Sequence, residues 1–166
     1  MKTISKQLQD LFTADQKDRS DGALWEDANF RNEVSKRDKV RKEEVSKYIK
    51  NDQLQTAEDY YFSAMIFQHG DSVADFKQAH QLAKTSMNMG YESAKWLYAA
   101  SLDRLLLHQG RKQRYGTQYR KENNGKWFLP PVDEIISDDE RKKYNVLILS
   151  DMTKKIKKLN KKDLMI

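Results

Sequence analysis

Between Asp103 and Gln118 the chain gathers the groups from which a polar site is made: a carboxylate, several guanidinium groups, amides, a phenol and a hydroxyl. The stretch before them, AKWLYAASLDRLLLHQ from Ala94 to Gln109, is apolar on nearly every face, so a helix there belongs in the centre of a domain. Asp103 follows Ala99 and Ala100 on its small-residue face. A carboxylate buried there costs several kcal/mol unless it is paired or hydrogen-bonded. Two readings stay open: a structural ion pair with an arginine elsewhere, or an acid anchored in a cleft. Gln113, Arg114, Tyr115, Gly116, Thr117 and Gln118 come directly afterwards, in a loop where a polar ligand could be held. A well-capped loop entering a hairpin would use similar residues.

His69 lies just before Gly70, at the last turn of a predicted helix, where the helix dipole favours a protonated imidazole. It fits a general acid or base, and equally a C-terminal cap. His80 and His108 are expected to be structural or surface residues. The three histidines are scattered, with no His-Glu-x-x-His spacing, so no metal site is predicted, although a mixed His and Asp site is compatible with the residues. No phosphate-binding P-loop, dinucleotide glycine motif or nucleophile elbow occurs, and no cofactor is assigned.

The elements that must position these groups are helical. Ile4, Leu8, Leu11 and Phe12 form a stripe ended by Ser20-Asp21-Gly22. Leu24 to Tyr48 reads as one long or two short surface helices, with Trp25, Phe30, Val34, Val40, Val45 and Ile49 among alternating charges. Thr56 with Asp59, and Ser72 with Asp75, imitate capping boxes and open two helices. Those helices and the one from Ala94 stop at Gly70, Gly90 and Gly110, where glycine would supply a left-handed residue. Short connections make them antiparallel neighbours, resembling tetratricopeptide or Sel1-type hairpins in geometry only. Tyr119 to Leu129, with Asn123-Asn124-Gly125 as its turn, predicts a small β-hairpin that Pro130 and Pro131 close. Ser137 with Glu140 opens a last helical region through Tyr144, Val146 and Leu149. The predicted fold is mainly α: an antiparallel helical bundle or short hairpin stack, with a small β-hairpin after the central helix.

The 166 residues fit one helical domain, ending in a basic amphipathic helix over 149–163. Without cysteine there is no disulfide, thiolate metal site or cysteine nucleophile. The start, MKTISKQLQDLF, has no continuous apolar core, and no run approaches a bilayer span, so a cytoplasmic protein is expected, with no membrane partner. The net charge of +6 sits in Lys154, Lys155, Lys157, Lys158, Lys161 and Lys162. Leu149, Met152, Ile156 and Leu159 run through that stretch at helical spacing. The lysines read as a solvated helix face, and nucleic acid is not the expected partner.

The segments Asp15-Gln16-Lys17-Asp18-Arg19, Gln68-His69, Asp103-Arg104 and Gly110 to Gln118 resemble, in order and spacing, an uncharacterised bacterial domain family. Its hallmark is an Asp-Arg pair followed by a glycine and then Gln-x-Tyr-Gly-Thr-Gln. The resemblance runs from about Leu8 to Asn145 and includes Pro131-Val132 and Glu140-Arg141. It departs at Asn51-Asp52-Gln53-Leu54, where family members tend to carry Gly-Trp-Pro. The resemblance implies that these polar positions belong together. His69 and Asp103 are then the candidate catalytic groups. Asp15, Gln16, Arg19, Gln68, Arg104, Gln113, Tyr115, Thr117 and Gln118 are the candidate ligand-binding groups.

The expected function is a polar pocket, formed by the central helix, the loop after Gly110 and the N-terminal helix, that binds a polar or anionic small molecule or peptide group. In it Arg104 and Arg19 would meet the anion, while His69 would move a proton. The alternative is a helical-hairpin interaction module with a protein partner, in which the motif only locks a loop. Exposed Trp25, Trp96 or Tyr61 would support that alternative.

Overall fold

A computed structural model describes residues 3–122 and 125–162. Asn123 and Asn124 of the predicted turn, Asp163 of the predicted last helix and the side chain of Trp25 lie outside the described residues. The fold is mainly α with one small antiparallel hairpin, as predicted. The chain divides into two compact units, Met1–Ala94 and Lys95–Ile166.

Unit one holds α1 (Ile4–Ser20), α2 (Ala23–Glu26), α3 (Ala28–Lys50), α4 (Ala57–Gln68) and α5 (Val73–Asn88). Local side chains start most of these helices. Thr3 accepts the Lys6 amide, and Asp27 accepts those of Asn29 and Phe30, so α3 is a single long helix behind the short α2. Both predicted capping boxes are complete, Thr56 with Asp59 on α4 and Ser72 with Asp75 on α5. Each box satisfies amides that helix geometry leaves without a partner. Leu8, Val45, Ala64, Ile66, Phe76, Ala79 and Ala83 are buried. The buried residues of α3 are Val34, Arg41, Val45 and Tyr48, whereas Val40 is exposed. A charged arginine thus stands in the apolar stripe.

The three predicted glycine stops do not share one cause. Gly90 and Gly110 have positive φ, 91° and 71°, and close the ends of their helices as expected. Gly70 does not belong to this left-handed set. Its constraint is space, because a Cβ there would stand 2.5 Å from Cβ of Asp75. The turn from α4 to α5 folds its backbone directly onto the capping carboxylate.

Unit two holds α6 (Ala94–His108), which starts at the unit boundary, β1 (Arg120–Lys121), β2 (Trp127–Phe128), α7 (Asp138–Lys143) and α8 (Leu149–Lys162). Arg120 pairs with Phe128 and Lys121 with Trp127. Asn160 grips β2 from α8, accepting the Trp127 amide at 2.7 Å and donating to its carbonyl at 3.0 Å. Ala99, Tyr115, Ile136, Val146 and Met152 form the core. The helical region predicted from Ser137 through Leu149 stops short: α7 ends at Lys143 with Tyr144 as its cap, and Asn145 turns the backbone left-handed at φ 56° before α8 begins at Leu149, where the basic helix is expected. Short polar side chains tolerate that conformation best. The predicted amphipathic face of α8 is present, with Met152 buried and Lys154, Lys155, Lys157, Lys158 and Lys161 exposed. No described helix is long and apolar enough to cross a membrane.

Candidate functional site

Six of the candidate residues lie in unit two and form one hydrogen-bonded loop. Asp103 is fully buried on α6. Its Oδ1 accepts the amides of Arg114 at 2.6 Å and Tyr115 at 2.8 Å. Its Oδ2 accepts the Thr117 amide and the Thr117 hydroxyl, both at 2.8 Å. Burial pushes the carboxyl above its ordinary value, while the bonds from Thr117, Tyr115 and Arg114 pull in the other direction. Its partners are not an arginine but three backbone amides and the Thr117 hydroxyl of the following loop, which the carboxylate winds around itself.

The neighbouring candidates complete this lock. Gln113, also fully buried, donates to the carbonyls of Gln118 and Pro130 and accepts the Gln118 amide. Its backbone pairs with the segment around Val132. Gln118 donates to the Ala100 carbonyl and the Thr117 hydroxyl and accepts Nε of Arg104 at 3.1 Å. Tyr115 packs against Tyr144, and its phenol is pushed up by burial and by that neighbouring hydroxyl. Its carbonyl accepts Nε of Arg141, a fully buried guanidinium that also donates to the Ile136 carbonyl.

The other five candidates lie in unit one. Asp15, buried on α1, accepts Nε2 of Gln16 at 2.8 Å and stands 3.1 Å from Nη1 of Arg19. Nδ1 of His69, the residue capping α4, lies 3.0 Å from both of its carboxylate oxygens. An ionised carboxylate only accepts, so in this contact the proton sits on Nδ1. Gln68 is buried immediately before His69.

Around this pair runs an ion network between α1 and α3. Arg19 forks onto Asp38 at 3.0 and 2.6 Å, and Arg37 forks onto Asp18 at 3.0 Å through both nitrogens. Arg41 joins both carboxylates, bonding Asp38 at 2.8 Å and also Asp18. Burial alone would raise Asp18, but Arg37 and Arg41 outweigh it and hold the group below its ordinary value. This explains how Arg41 occupies a core position: its stem fills the stripe and its charge meets acids on two helices.

His69 also lines a cleft of about 160 Å³. The α3 face contributes Lys36, Asp38, Lys39 and Lys42, and the turn after α4 contributes Gly70 and Asp71. Lys42 reaches Asp75 at 2.7 Å. Burial alone would raise Asp75, yet Lys42, the Ser72 hydroxyl and the Asp71 amide hold it below its ordinary value. Among the described residues no group of three or more histidines and carboxylates is arranged to hold a metal ion.

No protein-family model matches the chain, and no curated protein or solved structure matches it either.

Sequence reasoning missed Asp18, Asp38, Arg37, Arg41 and the three cleft lysines as parts of a site. A signal was available for Arg41, which sits seven residues after Val34 and four before Val45, on the buried face. An arginine in that register demands acids opposite, and Asp15 and Asp18 stand one helical turn apart on α1.

Proposed function

We propose that this protein binds a small anionic group, a carboxylate or phosphate, in the cleft of unit one. The observation that carries the reading is His69, held on buried Asp15 at the wall of a cleft whose α3 face is lined by Lys36, Lys39 and Lys42. Asp38 is engaged by Arg19 and Arg41, Lys36 by Glu33 at 2.7 Å, and Lys42 by Asp71 and Asp75, so Lys39 is the cleft lysine placed to meet an incoming anion. The volume suits an acidic head group rather than a whole drug-sized ligand, which fills roughly 300–1,000 Å³. Asp15 fixes the orientation of the imidazole, as an orienting carboxylate does for a general base, and His69 is the group that would move a proton to or from the bound anion.

In this reading Asp103, Arg104, Gln113, Tyr115, Thr117 and Gln118 are a lock that shapes the loop of unit two rather than ligand contacts. The support is that both oxygens of Asp103 and both ends of the Gln113 amide are engaged within that loop.

The test is a titration with inorganic phosphate and with acetate, followed by histidine ring resonances. We expect saturable shifts at His69 with a Kd of about 1 mM, close to −4 kcal/mol. Lys39→Glu should abolish them while leaving His80 and His108 unmoved. A His69 signal indifferent to both anions, or unaffected by Lys39→Glu, would sink the assignment.

A further inference from the structure

A second concavity lies wholly within unit two and uses none of the residues of the anion cleft. Its volume is about 100 Å³, and its walls come from α6, from the loop that Asp103 locks, from the break between α7 and α8 and from α8 itself. Two of its apolar walls stand open to solvent: Trp96 is 43% exposed and Leu147 is 45% exposed. Its floor is made by Gly116 over the thioether of Met152. A Cβ at Gly116 would approach that sulfur to 2.7 Å, so the floor is bare backbone against core. Tyr119 and Lys155 form the far wall, with the ammonium 4.9 Å from the ring centre.

The concavity is smaller than a small-molecule or nucleotide site, which needs at least roughly 300 Å³. It has the size of one aliphatic side chain. Apolar anchors seated in such hollows, next to an exposed aromatic, carry much of the energy of protein recognition. The surrounding charge is one-sided. From Lys95 onward the sequence holds seventeen Lys and Arg against nine Asp and Glu, and before it fourteen against sixteen, formal charges of +8 and −2. Lys155 stands in the wall itself, and the same helix carries Lys157, Lys158 and Lys161 exposed, while Lys154 pairs with Asp151 at 2.8 Å.

We propose that this concavity is a docking site for an acidic peptide segment that inserts one apolar side chain between Trp96 and Leu147, its carboxylates meeting the lysines of α8. The apolar hollow selects the anchor, and the basic field draws in and orients the flanking chain.

Panning a random dodecapeptide library on the full chain tests this. The expected result is enrichment of sequences with Asp and Glu around a single Leu, Met or Phe. Their binding should weaken about tenfold in Leu147→Ser and in Lys155→Glu, and should fall with added salt. Both substituted positions are exposed, so neither variant threatens folding. Trp96→Ala should weaken binding further, as removal of an aromatic anchor does. No enrichment, enrichment of neutral or basic sequences, or equal binding by the Leu147 and Lys155 variants would each overturn the proposal. So would displacement of the selected peptide by a single-stranded oligonucleotide whose own binding requires Leu147, which would assign the surface to nucleic acid.

Discussion

At the scale of single residues, two buried carboxylates solve the same problem in opposite ways. Asp15 is met by side chains, two guanidinium groups from Arg19 and Arg41 and the imidazole of His69. Asp103 is surrounded by amide hydrogens and one hydroxyl, none of them charged. Asp103→Ala would strand three loop amides, each costing about 1–3 kcal/mol when left unsatisfied, so a loss of about 3–5 kcal/mol is expected in urea unfolding. Arg104→Ala leaves the amide bonds to Asp103 in place and removes, among its contacts, the Nε bond to Gln118, a bond of about 1 kcal/mol, so it should cost less than Asp103→Ala in the same measurement. Equal losses in the two variants would contradict the lock. The sequence made Asp103 conspicuous, since a lone acid on a greasy helix needs partners. It did not disclose those partners, because backbone amides are offered by every residue type and leave no mark in composition.

At the scale of elements, the helix starts were the most legible feature. Thr56 with Asp59 and Ser72 with Asp75 act within a single turn, so their spacing alone specifies the geometry. The stops were legible in position but not wholly in cause. Gly70→Ala must push a methyl into Asp75 and disturb the capping box, an overpacking change expected to cost about 1–3 kcal/mol. At Gly90 nothing lies within 4 Å, and Gly90→Ala should cost only the left-handed strain, about 1–2 kcal/mol. Differential scanning of the two variants checks this, and only the Gly70 variant should also move the Lys42 and Asp75 resonances. The break between α7 and α8 was not legible, because Asn145 adopts a conformation that asparagine accepts but does not require. Nor was the α1 and α3 ion network, which needs two helices separated in sequence to be aligned before Arg41 makes sense.

At the scale of the whole molecule, acid should act unequally on the two units. Asp18 and Asp75 in unit one have folded values below the ordinary 3.8, so their contribution is present above that value and is lost as the pH falls through the folded ones. Asp103 in unit two has a raised value, so its protonation on the way down removes a cost instead. Hydrogen exchange followed from neutral pH to below 3.8 should therefore show α1, α3 and the start of α5 losing protection before the Asp103 loop. Asp75→Asn should flatten that loss, and simultaneous opening of both units would contradict it.

The closeness of Gly116 to Met152 carries a chemical consequence of its own. Met152 is fully shielded, and its sulfur stands where even a methyl group on Gly116 would collide. Peroxide therefore reaches this thioether when the chain opens, and on the side of Gly116 the closed fold leaves no room for an added oxygen. Oxidation at this one atom would act as a ratchet, turning a transient opening of unit two into a lasting one until a reductase removes the oxygen.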